Sequence, residues 1–328
     1  MHSTLILKQS EIEKLIDMKT AVGLVEDAFR MHATEQADMP PKVYLDFPRG
    51  DIRAMPAYLK GKVNMGGVKI VNVHPENKFN GLISVRGTTV LIDPANGVPL
   101  SIMDATFLTA LRTGAASGVA TKYLANKNAK RAAIVGIGGQ AESQLLALAT
   151  VMPNLEEIVV YDKNHESAKS FAIKHKALAK IRACREIRDC IKDADIITTL
   201  TPVRSPVIYK DMVKPGAHIN AIGADAAGKQ ELQTELTTSS AVFVDDWEQA
   251  SHSGEINVPI AQGKFGKEMM RATLGEVVAG MKKGRQSEEE ITIFDSTGLA
   301  IQDIIVSNYV YKAAMKNPDK YNSIDLLS

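Results

Sequence analysis

Apolar positions change their period along this chain. Ile12, Leu15 and Ile16 recur at helical spacing behind Ser10-Glu11-Ile12-Glu13, a Ser and a Glu three apart that predict a capping box. A second helix is predicted over 19–35, with Val22, Val25, Ala28, Phe29 and His32 as its buried stripe and Pro40-Pro41 as its stop. Between 42 and 99 the pattern turns into short β-type runs. These cover 43–47 ahead of Pro48-Arg49-Gly50-Asp51, then 65–73, then 84–92 ahead of Asp93-Pro94-Ala95-Asn96-Gly97. Strands without intervening helices predict a mostly antiparallel sheet. One long helix over 104–125 follows, as a link between domains.

Beyond 129 the pattern alternates. Apolar strand runs fall at 132–136, 157–161, 196–200, 218–222 and 241–244, with helical patterns at 142–152 and 166–178. Such alternation predicts an α/β Rossmann fold with a doubly wound parallel sheet. Residues 302–328 read as helical and as returning to the first domain. The expected division is an α+β domain of 1–115 with 304–328, and a Rossmann domain of 116–303.

The length of 328 residues favours two domains, and 45% apolar with 23% charged residues is ordinary for a globular protein. A formal charge of +1 gives no global electrostatic case for nucleic acid or an anionic membrane as partner. No apolar run approaches a membrane span, and the first residues lack the features of a signal peptide. Cys184 and Cys190 are the only cysteines, and no His pair lies near them. They fit neither a zinc site nor a disulfide framework, so a reduced, cytoplasmic protein is expected. His74 and His252 have no partners at ligand spacing, so no metal is expected.

The strongest local signal is 132–141, a buried strand, the turn Gly136-Ile137-Gly138-Gly139-Gln140-Ala141, and then a helix. Gly136 permits the tight turn and Gly138 lets the backbone approach a pyrophosphate. The small Ala141 allows close packing, and free N–H groups at the helix start receive the anion. Asp162 ends the next strand, placed to bond ribose hydroxyls and to repel a 2′-phosphate, which favours NAD over NADP. Lys163 beside it softens that preference.

Four charged residues have two readings each. Lys69 interrupts the apolar run 67–71, either buried against an anion or facing outward while Val68 and Ile70 face the core. Arg53, in Asp51-Ile52-Arg53-Ala54-Met55-Pro56, reads alone as a surface turn arginine, and Arg112 as a solvated helix arginine. The small residues Thr113, Gly114 and Ala115 beside Arg112 would leave room for a ligand. Asp225 lies beyond the carboxyl end of 218–222, where doubly wound sheets place chemistry, or else caps a helix begun by Ala226-Ala227-Gly228.

Several separated motifs resemble the ornithine cyclodeaminase/μ-crystallin family, closest to its archaeal-type alanine dehydrogenase branch. They are Met39-Pro40-Pro41-Lys42-Val43-Tyr44, Val68-Lys69-Ile70-Val71-Asn72, Ala110-Leu111-Arg112-Thr113-Gly114-Ala115-Ala116, Asn220-Ala221-Ile222-Gly223-Ala224-Asp225, Gly254-Glu255-Ile256-Asn257-Val258, and the run from Asp295-Ser296-Thr297-Gly298 to Gln302-Asp303. The resemblance implies a homodimer formed through the N-terminal sheets, an active site in the cleft between domains, and a small amino acid or imino acid as substrate. It implies that Lys69 contacts the substrate and can transfer a proton, and that Asp225 is a general acid/base. Lys42, Arg53 and Arg112 become substrate-side cations, Arg112 also lying near the cofactor phosphates. Thr297 faces the substrate and Ser296 the cofactor. Ser84, Gly139, Gln140, Thr199, Gly223 and Lys229 match cofactor-side positions. Arg86-Gly87 departs from the apolar residues expected in its strand.

The resulting expectation is NAD-dependent oxidative deamination of L-alanine. Cyclodeamination of ornithine and reduction of a cyclic imine such as pyrroline-2-carboxylate are the alternatives, and a non-catalytic binding protein is a further one. Arg53 counts against ornithine, because the cyclising enzymes carry an acid there.

Overall fold

The computed structural model describes residues 3–326. The chain divides into two compact units, one running up to Arg112 and resuming at Leu299, the other Thr113–Gly298. The first division falls inside the helix Thr106–Leu124 and the second just ahead of the helix Ala300–Ala314.

The first unit carries an eight-stranded sheet. Its order is Asn322–Asp325, Ser3–Leu7, Pro99–Asp104, Val85–Ile92, Met65–Val73, Gly50–Leu59 and Ala37–Asp38, with Val43–Phe47 also paired to Gly50–Leu59. Every pairing is antiparallel except that of Ser3–Leu7 with Pro99–Asp104. Register sorts the side chains. Lys69 stands opposite Met55 and Thr89, so it shares a face with Arg53, Ala57, Leu59, Val71 and Leu91, all buried. The helix Ala300–Ala314 packs on this inner face, and Met18–Ala33 packs on that helix. Its Val22, Val25, Ala28 and Phe29 are buried, while His32, expected to complete the stripe, is half-buried. The outer face carries Ile52, Ala54, Val68, Ile70 and Val90, half-buried, and Val43 and Leu45, exposed.

Three expectations are corrected in this unit. The first helix is the single turn Gln9–Ile12, where Glu11 accepts the Lys8 N–H at 2.9 Å, so Ser10 lies within the turn and does not cap it. The C-terminal helix stops at Ala314, and after Pro318, which has no N–H to continue a helix, Asn322–Asp325 pairs as an edge strand with Ser3–Leu7. The third is the surface turn read at Arg53, which is the strand Gly50–Leu59 with Arg53 buried. Residues 51–59 pair on one side with Met65–Val73. On the other side Val43–Phe47 covers 50–54 and Ala37–Asp38 covers 58–59. Pro56 therefore falls in the gap between those partners, where a missing N–H breaks no ladder.

The second unit is an eight-stranded, wholly parallel sheet. Its order is Ile181–Cys184, Glu157–Tyr161, Arg131–Val135, Ile196–Thr199, His218–Ala221, Thr292–Asp295, Ala241–Val244 and Met270–Thr273. Both faces are buried, Ala132 and Ile134 in one core and Ala133 and Val135 in the other. The order reverses between Arg131–Val135 and Ile196–Thr199, the place where such sheets bind ligands beyond their carboxyl ends. Among the described residues no helix is long and apolar enough to cross a membrane.

Candidate active site

In the first unit, Lys69 is 1% exposed and Arg112 6%. Both face one carboxylate, Asp303. Lys69 Nζ lies 2.8 Å from Asp303 Oδ2, and Arg112 Nε donates to Oδ1 at 2.9 Å. Arg112 also donates to Gln302 Oε1 at 3.2 Å. Burial pushes the Lys69 ammonium down to about 7; Arg112 and Lys42 push the same way, and Asp303 opposes them. The outward-facing reading of Lys69 thus gives way to the buried one, and Arg112 is not a solvated helix arginine.

Arg53 lies on the same inner face, 8% exposed, with its fork on its own chain's Asp51 at 2.8 and 3.1 Å. Its guanidinium is 5.4 Å from the Tyr44 ring centroid. Lys42 is half-buried just ahead of Val43–Phe47. Ser84 precedes the strand Val85–Ile92, its carbonyl accepting the His74 N–H at 2.8 Å. The departure at Arg86-Gly87 has a local cause. Arg86 is exposed on the outer face, and a Cβ on Gly87 would come within 3.1 Å of Ala105 Cβ.

In the second unit the glycine turn follows the strand Arg131–Val135. Gly136 has φ +98°, and a Cβ there would press on Thr201 and Leu200, so fold alone requires glycine. Gly138 and Gly139 differ. Neither is left-handed, and a Cβ on either would meet nothing within 4 Å. Nothing in the protein demands glycine there, which fits a ligand that needs bare backbone. Asp162 Oδ2 accepts the Ile137 N–H and Oδ1 that of Asn164, both at 2.8 Å. The buried Gln140 Oε1 has no protein partner.

The small residues after Arg112 serve packing. A Cβ on Gly114 would lie 2.4 Å from the Ser143 carbonyl oxygen, so they admit the helix Ala141–Val151. Asp225 caps no helix, since 226–228 form a turn and the next helix is Thr234–Thr238. Its carboxylate pairs with Lys229 in a short contact. Asn257 steadies this loop, accepting the Gly228 N–H at 2.8 Å and donating to the Lys229 carbonyl at 2.9 Å.

Sequence reasoning missed the buried carboxylates beneath these loops. Glu231 accepts the Thr199 and Thr201 hydroxyls and the Thr201 and Gly223 N–H groups, at 2.6–2.8 Å. The Thr199 hydroxyl is therefore turned inward. Glu255 accepts the N–H groups of Glu231 and Leu232. Asp245 accepts those of Thr297 and Gly298 at 2.7 Å and the Thr297 hydroxyl at 3.0 Å. The neighbouring Ser296 hydroxyl is buried without a protein partner. Burial pushes Glu231 and Glu255 above the usual carboxylate range and Asp295 up to about 8. The signal was present only as motif membership: Glu255 and Asn257 lie in one quoted motif, Gln302 and Asp303 in another.

The sequence matches the ornithine cyclodeaminase/mu-crystallin family over residues 2–317. It is 49% identical over 315 residues to the alanine dehydrogenase of Archaeoglobus fulgidus, covering 95% of each chain. The fold superposes on an archaeal alanine dehydrogenase dimer with bound NAD at a TM-score of 0.95 and 47% identity, covering 99% of this chain and 100% of that one. It superposes on the Thermococcus litoralis delta(1)-pyrroline-2-carboxylate reductase, in complex with NADH and L-proline, at 0.94 and 38%, covering 98% and 100%. The chain belongs to the ornithine cyclodeaminase/mu-crystallin family.

Proposed function

We propose that this chain is an NAD-dependent oxidoreductase that converts L-alanine to pyruvate and ammonia through an imine. The carrying observation is the pair of buried cations, Lys69 and Arg112, that share the single carboxylate of Asp303. Two cations against one anion leave a positive charge in apolar surroundings, which one substrate carboxylate offsets. Lys42 and Arg53 complete the cationic side, Arg53 being already offset by Asp51. With Arg53 on it, the Asp51 carboxylate is already taken and does not hold the distal ammonium of ornithine, which favours a short substrate.

The second unit's residues fit NAD through the bare backbone at Gly138 and Gly139 and the unpartnered Gln140 Oε1 and Ser296 hydroxyl. Gly136, Gly138, Gly139 and Gln140 would hold the pyrophosphate, Asp162 the ribose, and Ser296 the nicotinamide amide. Ser84, Arg112, Thr199, Gly223 and Lys229 are assigned to the same cofactor's surroundings, Thr199 and Gly223 through Glu231. When bound, NAD supplies the acceptor for the hydride that leaves Cα. Asp225 takes a proton from the substrate ammonium and releases it to solvent, then takes one from the water that adds to the imine and returns it to the nitrogen that leaves as ammonia. Lys229 pairs with the Asp225 carboxylate and helps to hold it in place. Lys69, brought down to about 7, is a further group able to exchange a proton. Thr297 borders the substrate with its hydroxyl anchored on Asp245.

The likeness to the reductase solved with L-proline favours one second reading, reduction of a cyclic imine. A partner also follows. The exposed Val43 and Leu45 extend the apolar outer face of the first sheet, and the archaeal relative is a dimer, so we assign that face to a second copy of this chain.

Incubating the pure protein with NAD and L-alanine while following NADH absorbance tests the reading. An alanine-dependent rise that Asp225→Asn abolishes is expected. A rise with L-proline alone would replace it by the cyclic-imine reading. Proline and ammonia formed from ornithine without net NADH would make the chain a cyclodeaminase.

A further inference from the structure

Asp303 closes the motif that begins at Asp295, yet no step of the proposed reaction uses it. Its side chain is 2% exposed and joins three elements: the strand Met65–Val73, the helix Thr106–Leu124 and its own helix Ala300–Ala314. Local sequence makes that junction possible. A Cβ on Gly67 would come within 2.9 Å of Ile304 Cδ1 and 2.5 Å of the Val90 carbonyl, so only glycine lets the helix lie this close to the lysine strand. Gln302, beside Asp303, grips the same guanidinium and accepts the Leu299 N–H at the start of the helix.

Three charged groups act most strongly on Lys69. Asp303 faces it from the C-terminal helix, Arg112 from the helix Thr106–Leu124, and Lys42 from the segment ahead of Val43–Phe47. The residues opposite it on the flanking strands, Met55 and Thr89, carry no charge. Arg53, further along the same face, is paired with Asp51. One buried anion thus serves two buried cations. An ammonium in such a place keeps its proton only if an anion holds it, and two cations stay side by side only if something offsets their repulsion.

We infer that Asp303 is a positioning residue that holds Lys69 and Arg112 as a pair of cations with one positive charge in excess, the state that receives a single substrate carboxylate. The inference rests on the amino-acid reading above. The direction of the Lys69 shift agrees with it: burial and Arg112 favour loss of the proton, and Asp303 favours keeping it.

The experiment reads the Lys69 titration in the full chain with 13C-labelled lysine, its Cε signal assigned through Lys69→Arg. The unsubstituted protein should titrate near 7 at this position. Asp303→Asn should move the titration down by at least about one pH unit, and Arg112→Gln should move it up by a similar amount. Asp303→Glu should restore it toward the unsubstituted value. With L-alanine, Asp303→Asn should raise KM by about tenfold or more and bring the alkaline fall of kcat/KM to lower pH. A Lys69 titration that stays put in a folded Asp303→Asn protein overturns the inference, and so does one that does not rise in Arg112→Gln if Asp303→Asn fails to fold. The titration needs no substrate, so it decides the role of Asp303 even if alanine is not turned over.

Discussion

In the first unit two deeply buried cations, Lys69 and Arg112, share one equally buried carboxylate, Asp303. In the second, four carboxyl groups, Glu231, Glu255, Asp245 and Asp295, are fully buried, and backbone N–H groups and hydroxyls satisfy most of them. The difference follows from geometry. Strand ends and loops present free N–H groups that a carboxylate can accept, whereas no backbone group can neutralise an ammonium at the centre of a sheet face. The carboxylates therefore shape loops, and the cations await an anion.

The largest effects should separate these two roles kinetically. Lys69→Met leaves Asp303 paired with Arg112, so folding is expected to survive and the loss to appear mainly in the KM for alanine. Asp225→Asn removes the proton acceptor and should lower kcat by about 10²–10⁴-fold with alanine KM little changed. Steady-state kinetics of the two variants checks this. Equal falls in kcat at both positions would erase the division between a binding side and a proton-transfer side.

Removing a loop-shaping carboxylate should cost stability. Glu255→Ala strands the N–H groups of Glu231 and Leu232 in a buried place, an expected loss of about 2–5 kcal/mol by denaturant unfolding at neutral pH. Glu255→Gln keeps an acceptor oxygen for those N–H groups. Its loss should stay within about 1–2 kcal/mol. Similar losses in the two variants would show that the acceptor is not what holds the loop.

The two regions also respond to pH with opposite sign. Asp295 rises from 3.8 to about 8 on folding, so the folded state holds an extra proton across that window and stability falls as pH climbs through it. Lys69 drops from 10.5 to about 7, so the unfolded chain holds the extra proton between those values. Stability from this source grows as pH rises from 7 toward 10. Each slope is at most about 1.4 kcal/mol per pH unit. Unfolding free energies across pH 5–10 should lose the acid-side decline in Asp295→Asn and the alkaline rise in Lys69→Met. An unchanged profile in either variant would remove that residue from the comparison.

Much of this was legible in the sequence, for identifiable reasons. The strands 65–73, 157–161 and 241–244 carry mainly apolar runs, and their bounds agree with the structure. The glycine turn and Asp162 announce themselves because strand, turn and acid occur in fixed order. Gly50–Leu59 was obscured because Pro56 reads as a breaker until the gap between its partners is seen. Asn322–Asp325 is an exposed edge strand with one apolar residue, too little to register. The buried carboxylates stayed hidden for a different reason. Glu231 and Asp245 look like loop acids until the fold closes over them, since burial of a polar group is decided by distant segments. Asp303 could not be paired with Lys69 from a chain in which they lie more than two hundred positions apart.

The smallest effects should distinguish glycines that serve the fold from those that serve a ligand. Gly136 has φ +98°, and an added Cβ would sit 3.0 Å from Thr201 Cγ2, so Gly136→Ala should lower stability by about 1–2 kcal/mol before any ligand is considered. Gly138 has neither constraint, so Gly138→Ala should leave stability within about 0.5 kcal/mol of the parent chain. Its expected cost appears only when NAD is added, as an affinity about tenfold weaker by fluorescence titration of NADH, because the methyl group occupies the approach of the pyrophosphate. Unchanged affinity in Gly138→Ala would place the pyrophosphate elsewhere and remove the glycine turn from the cofactor site. A destabilised Gly138→Ala protein would instead make that glycine a requirement of the fold, like Gly136, and the bare backbone would cease to argue for a ligand at all.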